Sequence, residues 1–140
     1  TKMSARMLLP MRRIGDCVFL SGHGCEGEDG KPIVVGHVGD SVTLEEGQRA
    51  ARRCAQRMLE ALECEFGTLD AIECVVKVLG FVNSAEGFDQ QPLVMNGFSE
   101  VLVERLGERG MHARTAIGVN MLPNNQAVEV EMIVKLRSEK

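Results

Sequence analysis

Residues 112–136, HARTAIGVNMLPNNQAVEVEMIVKL, constrain the fold more than any other stretch of this chain. Alternation of apolar and polar side chains predicts two strands, over residues 114–121 and 127–136. Between them stand Leu122, Pro123, Asn124, Asn125 and Gln126. Pro fixes φ and Asn tolerates left-handed backbone, so the segment reads as a turn. A hairpin centred on Asn124 and Asn125 would set Met121 opposite Val128, Val119 opposite Val130 and Ile117 opposite Met132. These six residues would make one apolar face. Arg114, Ala116, Gly118, Asn120, Glu129, Glu131 and Ile133 would make the other, which is half-empty enough to meet solvent or line a cleft.

The rest of the chain supplies further strands and two helices. Residues 7–14 predict a first strand, with Pro10 suiting an edge. Gly15 and Asp16 predict a turn into a second strand at residues 17–20. A glycine-rich loop, SGHGCEGEDG, follows. Residues 32–38 predict a third strand. Thr43 and Glu46 have the spacing of a capping box, and apolar residues at helical intervals run from Ala51 to Leu62 before Gly67. Residues 69–82 predict a long strand, with Ile72, Cys74, Val76 and Val78 on one face and Glu73, Val75, Lys77 and Leu79 on the other. Pro92 suits the first turn of a second helix, which Gly107 and Gly110 end.

The order β-β-β-α-β-α-β-β predicts a single α+β domain spanning residues 1–140, with two helices covering one face of a six-stranded mixed sheet. Val75, Leu79 and Phe81 on the other face then have no cover within the chain, which predicts self-association.

Composition narrows the function. A 44% hydrophobic content supports a core, yet aromatics are only 4% and the net charge is −4, which argues against a nucleic-acid surface. No apolar run reaches the roughly 20 residues of a membrane span. Five cysteines without a CxxC pattern suit reduced thiols in a cytoplasmic protein. His23, Cys25 and His37 match no zinc spacing, so no metal site is expected. Taken alone, Arg114 reads either as an exposed strand-edge arginine or as a clamp for a carboxylate. Glu129 reads either as a solvent-facing strand residue or as a catalytic carboxylate. The hairpin register separates the two by about 20 Å at roughly 3.4 Å per residue, so a site using both would lie between chains.

The sequence Arg-Thr-Ala-Ile-Gly-Val, then Leu-Pro, then Val-Glu-Val-Glu-Met-Ile-Val resembles the C-terminal signature of the RidA/YjgF family, known also as L-PSP endoribonucleases. Val18-Phe19-Leu20-Ser21-Gly22 and residues 76–83 extend the resemblance over nearly the whole chain. It implies a chorismate-mutase-like fold and a homotrimer with active clefts between subunits. It also implies hydrolysis of enamine and imine intermediates, such as 2-aminoacrylate, to 2-oxo acids and ammonia without a cofactor. On that resemblance Arg114 takes the place of the carboxylate-clamping arginine. Glu129 takes that of the water-orienting carboxylate, Gly22 that of a cleft-wall glycine and Asn96 that of a helix asparagine near the site. Leu8 stands where many members have Tyr, and Ala116 where many have Cys, which marks a divergent branch. The alternatives are a trimeric protein that binds a small carboxylate without catalysis and, further off, a ribonuclease or translation inhibitor.

Overall fold

The computed structural model describes residues 7–138. Five strands and two long helices appear in the order β1 (Met11–Ile14), β2 (Cys17–Gly24), α1 (Leu44–Phe66), β3 (Ile72–Asn83), α2 (Gln91–Leu106), β4 (Ala113–Val119) and β5 (Val128–Leu136). The strands form one mixed sheet in the spatial order β1-β2-β5-β3-β4.

The capping box at Thr43 is formed: its hydroxyl accepts from the Glu46 N–H, and the Glu46 carboxylate accepts from the Thr43 N–H. Gly67 ends α1 in the left-handed region, at φ 81°. The helices cross where Gly97 meets the backbone of Gln48; a Cβ on Gly97 would lie 2.4 Å from the Gln48 carbonyl oxygen. Ala50, Cys54, Met58 and Leu62 of α1 and Val94, Phe98 and Leu102 of α2 are buried against Val78, Val128, Val130, Met132 and Val134 of the sheet.

Three expectations are corrected. The sheet has five strands, not six, because residues 32–38 make only isolated bridges. Pro32 lacks an N–H, and Gly36 at φ 121° turns the chain out of extended geometry. Instead Val38 and Ala127 tie this segment to the end of the sheet through bonds to Asn83 and Val34.

The signature strands are not a hairpin. β3 lies between them, parallel to β4 and antiparallel to β5. Parallel neighbours need a crossover, and α2 supplies it, making β3-α2-β4 a βαβ unit. The turn chemistry is nevertheless as expected: Asn124 and Asn125 have φ 58° and 54°. Their loop crosses the end of β3, held by the buried Asn83 amide, which donates to Asn125 Oδ1 at 2.9 Å and to the Gly36 carbonyl at 3.1 Å.

Registers and faces change accordingly. Val78 pairs with both Arg114 and Met132, and Phe81 with both Ile117 and Glu129. Arg114 therefore shares the helix-covered face with Val78, while Ile117 faces the bare side and is 43% exposed. In β3 a register shift between Val75 and Lys77 breaks the expected alternation. Val75 is 3% exposed in the core and Val76 is 40% exposed. The uncovered face therefore carries Leu79 and Phe81 as expected, with Phe19, Ile133 and Ile117 beside them, but not Val75.

Candidate active site

The sequence-predicted residues fall into two groups. The first is built by α2 and the edge strand β4. Asn96 and Ser99 are one helical turn apart and project from the half-buried flank of α2, away from buried Val94, Phe98 and Val101. Arg114 reaches up from β4 to meet them. Its Nη1 donates to Asn96 Oδ1 at 2.9 Å and to Ser99 Oγ at 3.1 Å, and its Nη2 donates to the Pro92 carbonyl at 3.3 Å. All three acceptors are neutral, and among the described residues no carboxylate lies within ion-pair range of Arg114. Among the described residues, the Nε–H and one Nη2–H have no hydrogen-bond partner. An arginine edge of this kind can grip a carboxylate with two parallel hydrogen bonds. Ala116, two residues on and on the same face, packs against the core.

The second group lies at the other side of the sheet, where β2 bulges between Leu20 and His23. Leu8, Ser21, Gly22, His23, Glu26, Arg57, Gln126 and Glu129 line a groove of about 460 Å³ there. Gly22 is packed against the Glu129 side chain: a Cβ at Gly22 would lie 3.1 Å from Glu129 Oε2. Burial, and then repulsion from Glu26 and Glu131, raises the Glu129 carboxyl above its usual pKa. Glu26 is itself held by Arg57. Leu8, 85% exposed, is at the rim.

Arg114 thus meets Asn96, and Glu129 meets Gly22 in a groove that Leu8 also lines, but the two groups do not meet. The observed register puts Arg114 and Glu129 two strands apart and three residues along, about 14 Å between Cα atoms rather than the 20 Å of a hairpin. Glu129 alternates with buried Val128 and Val130 and so faces the uncovered side, opposite to Arg114. Ser99 and the Pro92 carbonyl were not singled out from sequence. The signal available for Ser99 was its spacing of three from Asn96. No cluster of His, Cys, Asp and Glu among the described residues has metal-binding geometry.

The architecture is that of an α+β domain with two helices on one face of a mixed five-stranded sheet, carrying an uncompensated arginine on the covered face and a crowded carboxylate on the bare one. The chain belongs to the endoribonuclease L-PSP family, also called YjgF/RidA, whose sequence profile matches residues 9–136. Protein TCP17 of Trypanosoma cruzi is 42% identical over 106 residues, which are 75% of this chain and 66% of that protein, so the chain spans just under two thirds of that relative. The crystal structure of Atu1372 of Agrobacterium tumefaciens, a protein of unknown function, superposes with a TM-score of 0.90 at 38% identity, covering 92% of this chain and 82% of that one. A RidA from an Antarctic Psychrobacter species shares the fold, with a TM-score of 0.64 at 22% identity over 93% of this chain and 89% of that one.

Proposed function

We propose that this protein hydrolyses reactive enamine and imine intermediates of the 2-aminoacrylate kind to 2-oxo acids and ammonia, at clefts between the subunits of a homotrimer. The observation that carries the reading is the half-buried Arg114 guanidinium, fixed by three neutral acceptors and, among the described residues, without a carboxylate partner. An enamine first tautomerises to its imine. Arg114 holds the carboxylate of the 2-imino acid. Glu129 of a neighbouring subunit, in its ionised form, takes a proton from water as the oxygen adds to the imine carbon. Glu129 passes that proton to the former imine nitrogen, giving the neutral carbinolamine. It then takes the hydroxyl proton and gives it to the amino nitrogen as the C=O bond forms and the C–N bond breaks, so that ammonia leaves. Gly22 leaves room beside the Glu129 carboxylate, and Leu8 and Ala116 shape the cleft without supplying a reacting group.

The trimer is supported by the bare face, where Phe19, Leu79, Phe81, Ile117 and Ile133 form an apolar patch around Lys77 and Glu131. A net charge of −4 speaks against RNA as the substrate. Ammonia release from 2-aminoacrylate or a bulkier 2-imino acid generated in situ, compared between wild type and Arg114→Ala, tests the reading. Acceleration by wild type alone supports it. Carboxylate binding that depends on Arg114 without any acceleration would instead establish a binding protein.

A further inference from the structure

Ser99, which holds Arg114, is itself held. Its hydroxyl lies 2.8 Å from Nε2 of His112, and Nδ1 of His112 lies 2.6 Å from the Gly110 carbonyl. A carbonyl only accepts, so Nδ1 carries the proton and Nε2 of the neutral ring is bare. The Ser99 O–H therefore donates to Nε2, which turns an oxygen lone pair toward Arg114 Nη1. The neutral state is favoured by burial of the ring and by the Arg114 charge beside it, both of which lower the His112 pKa. Each link is directional: Arg114 donates to Ser99, Ser99 to His112, and His112 to the backbone at the turn between α2 and β4.

We propose that Ser99 and His112 are positioning residues that lock the Arg114 guanidinium in the orientation that presents its free edge to a carboxylate. The proposal rests on the carboxylate-clamp reading of Arg114 and adds to it. Asn96 and the Pro92 carbonyl fix two directions of the guanidinium; the Ser99–His112 pair fixes the third and anchors it to main chain. Without His112 the Ser99 hydroxyl is free to turn, for instance toward the carbonyl one helical turn back. Arg114 then loses a defined acceptor. The histidine does not touch the substrate in this arrangement.

Rotation of the Arg114 guanidinium, measured by nitrogen-15 NMR on the full chain, tests the lock without any ligand. It should be slow in wild type and in Ser99→Thr, and about tenfold faster in Ser99→Ala and His112→Ala. The double variant should match the single ones, since the two residues act as one unit. Ser99→Ala raises helix propensity, so its fold does not depend on the outcome for His112→Ala. Calorimetric binding of 2-oxobutanoate should weaken about 3- to 10-fold in both single variants and recover in Ser99→Thr. Unchanged guanidinium rotation in both variants overturns the proposal. Rotation that responds while 2-oxobutanoate affinity is indifferent to Arg114→Ala keeps the lock and overturns the clamp.

Discussion

Arg114 and Glu129 sit on opposite faces of one sheet, and the fold treats their charges in opposite ways. Around Arg114 three neutral acceptors fix the direction of the guanidinium: a side-chain amide, a hydroxyl and a carbonyl. Around Glu129 burial and two further carboxylates, Glu26 and Glu131, oppose the charge. The difference matches the two roles proposed for them, carboxylate binding and proton transfer. A group that must hold an anion gains from rigidity and permanent charge. A group that must take and return a proton gains from a pKa moved toward neutrality. Under the proposed hydrolysis the bare face would be where a neighbouring chain sits, because within one chain Glu129 and Arg114 face opposite ways.

The largest expected effects come from removing either side. Glu129→Gln keeps shape but cannot accept a proton, and kcat for imine hydrolysis should fall about 10²- to 10⁴-fold. Arg114→Ala should lower kcat/KM about 10- to 100-fold, the loss of a charge-assisted pair of hydrogen bonds. Its effect on a substrate analogue without a carboxylate should be slight; equal losses on both would remove the clamp from the mechanism.

Mixing the two inactive variants sharpens the comparison further. If each cleft takes Arg114 from one chain and Glu129 from its neighbour, random co-assembly of equal amounts leaves about a quarter of the clefts with both groups intact. Refolding the variants together should therefore recover about a quarter of wild-type activity. Co-refolded mixtures no more active than the separate variants would place both residues in one chain's site and end the between-chain reading.

A smaller effect is expected at Gly22, whose missing side chain leaves Glu129 its place. The Cβ of Gly22→Ala would press on the carboxylate at 3.1 Å. A shift of a few tenths of an ångström should cost about 3- to 10-fold in kcat, with KM nearly unchanged, because the Arg114 side is untouched. Steady-state kinetics that show KM rising while kcat holds would mean that Gly22 shapes binding instead.

What could be read from the chain differs between these two regions as well. The faces of β5 were legible because Val128, Val130, Met132 and Val134 alternate strictly with charged or outward residues. The capping box at Thr43 and the Gly67 stop were legible because they depend on local chemistry alone. The faces of β4 were not, because Ile117 and Val119 look like core residues until the strand's partner is known. Pairing with β3 rather than β5 is decided by the α2 crossover, a long-range choice with no short-range signal. The β3 bulge likewise hid the exchange of Val75 and Val76. For the candidate site, Asn96 beside Arg114 and Gly22 beside Glu129 were reached through the family resemblance. Ser99 and His112 were not, since a serine in a helix and a histidine before a strand carry no motif.

The smallest prediction separates the two charges by stability. Glu129 has a raised folded pKa, so its proton is bound more tightly in the native state than in the unfolded chain. Below the ordinary carboxylate pKa both states are protonated and the residue has no linkage effect. As pH rises through that value the unfolded chain ionises first, and native stability declines until the folded group ionises too; above that the deficit is constant. Glu129→Gln should therefore match wild type in acid and melt about 1–2 °C higher at neutral pH, while losing activity. Activity of wild type should fall on acidification through the same raised pKa, since only the ionised carboxylate can accept the proton from water. Arg114→Ala should show no such gain at neutral pH, because relieving His112 of the Arg114 charge acts only toward acid, where the ring protonates. Thermal melts of the three proteins from pH 4 to 8 measure this directly. A neutral-pH melting point of Glu129→Gln at or below wild type would mean that the crowding of Glu129 by Glu26 and Glu131 is relieved in the assembled protein, and with it the reason for assigning proton transfer to this carboxylate.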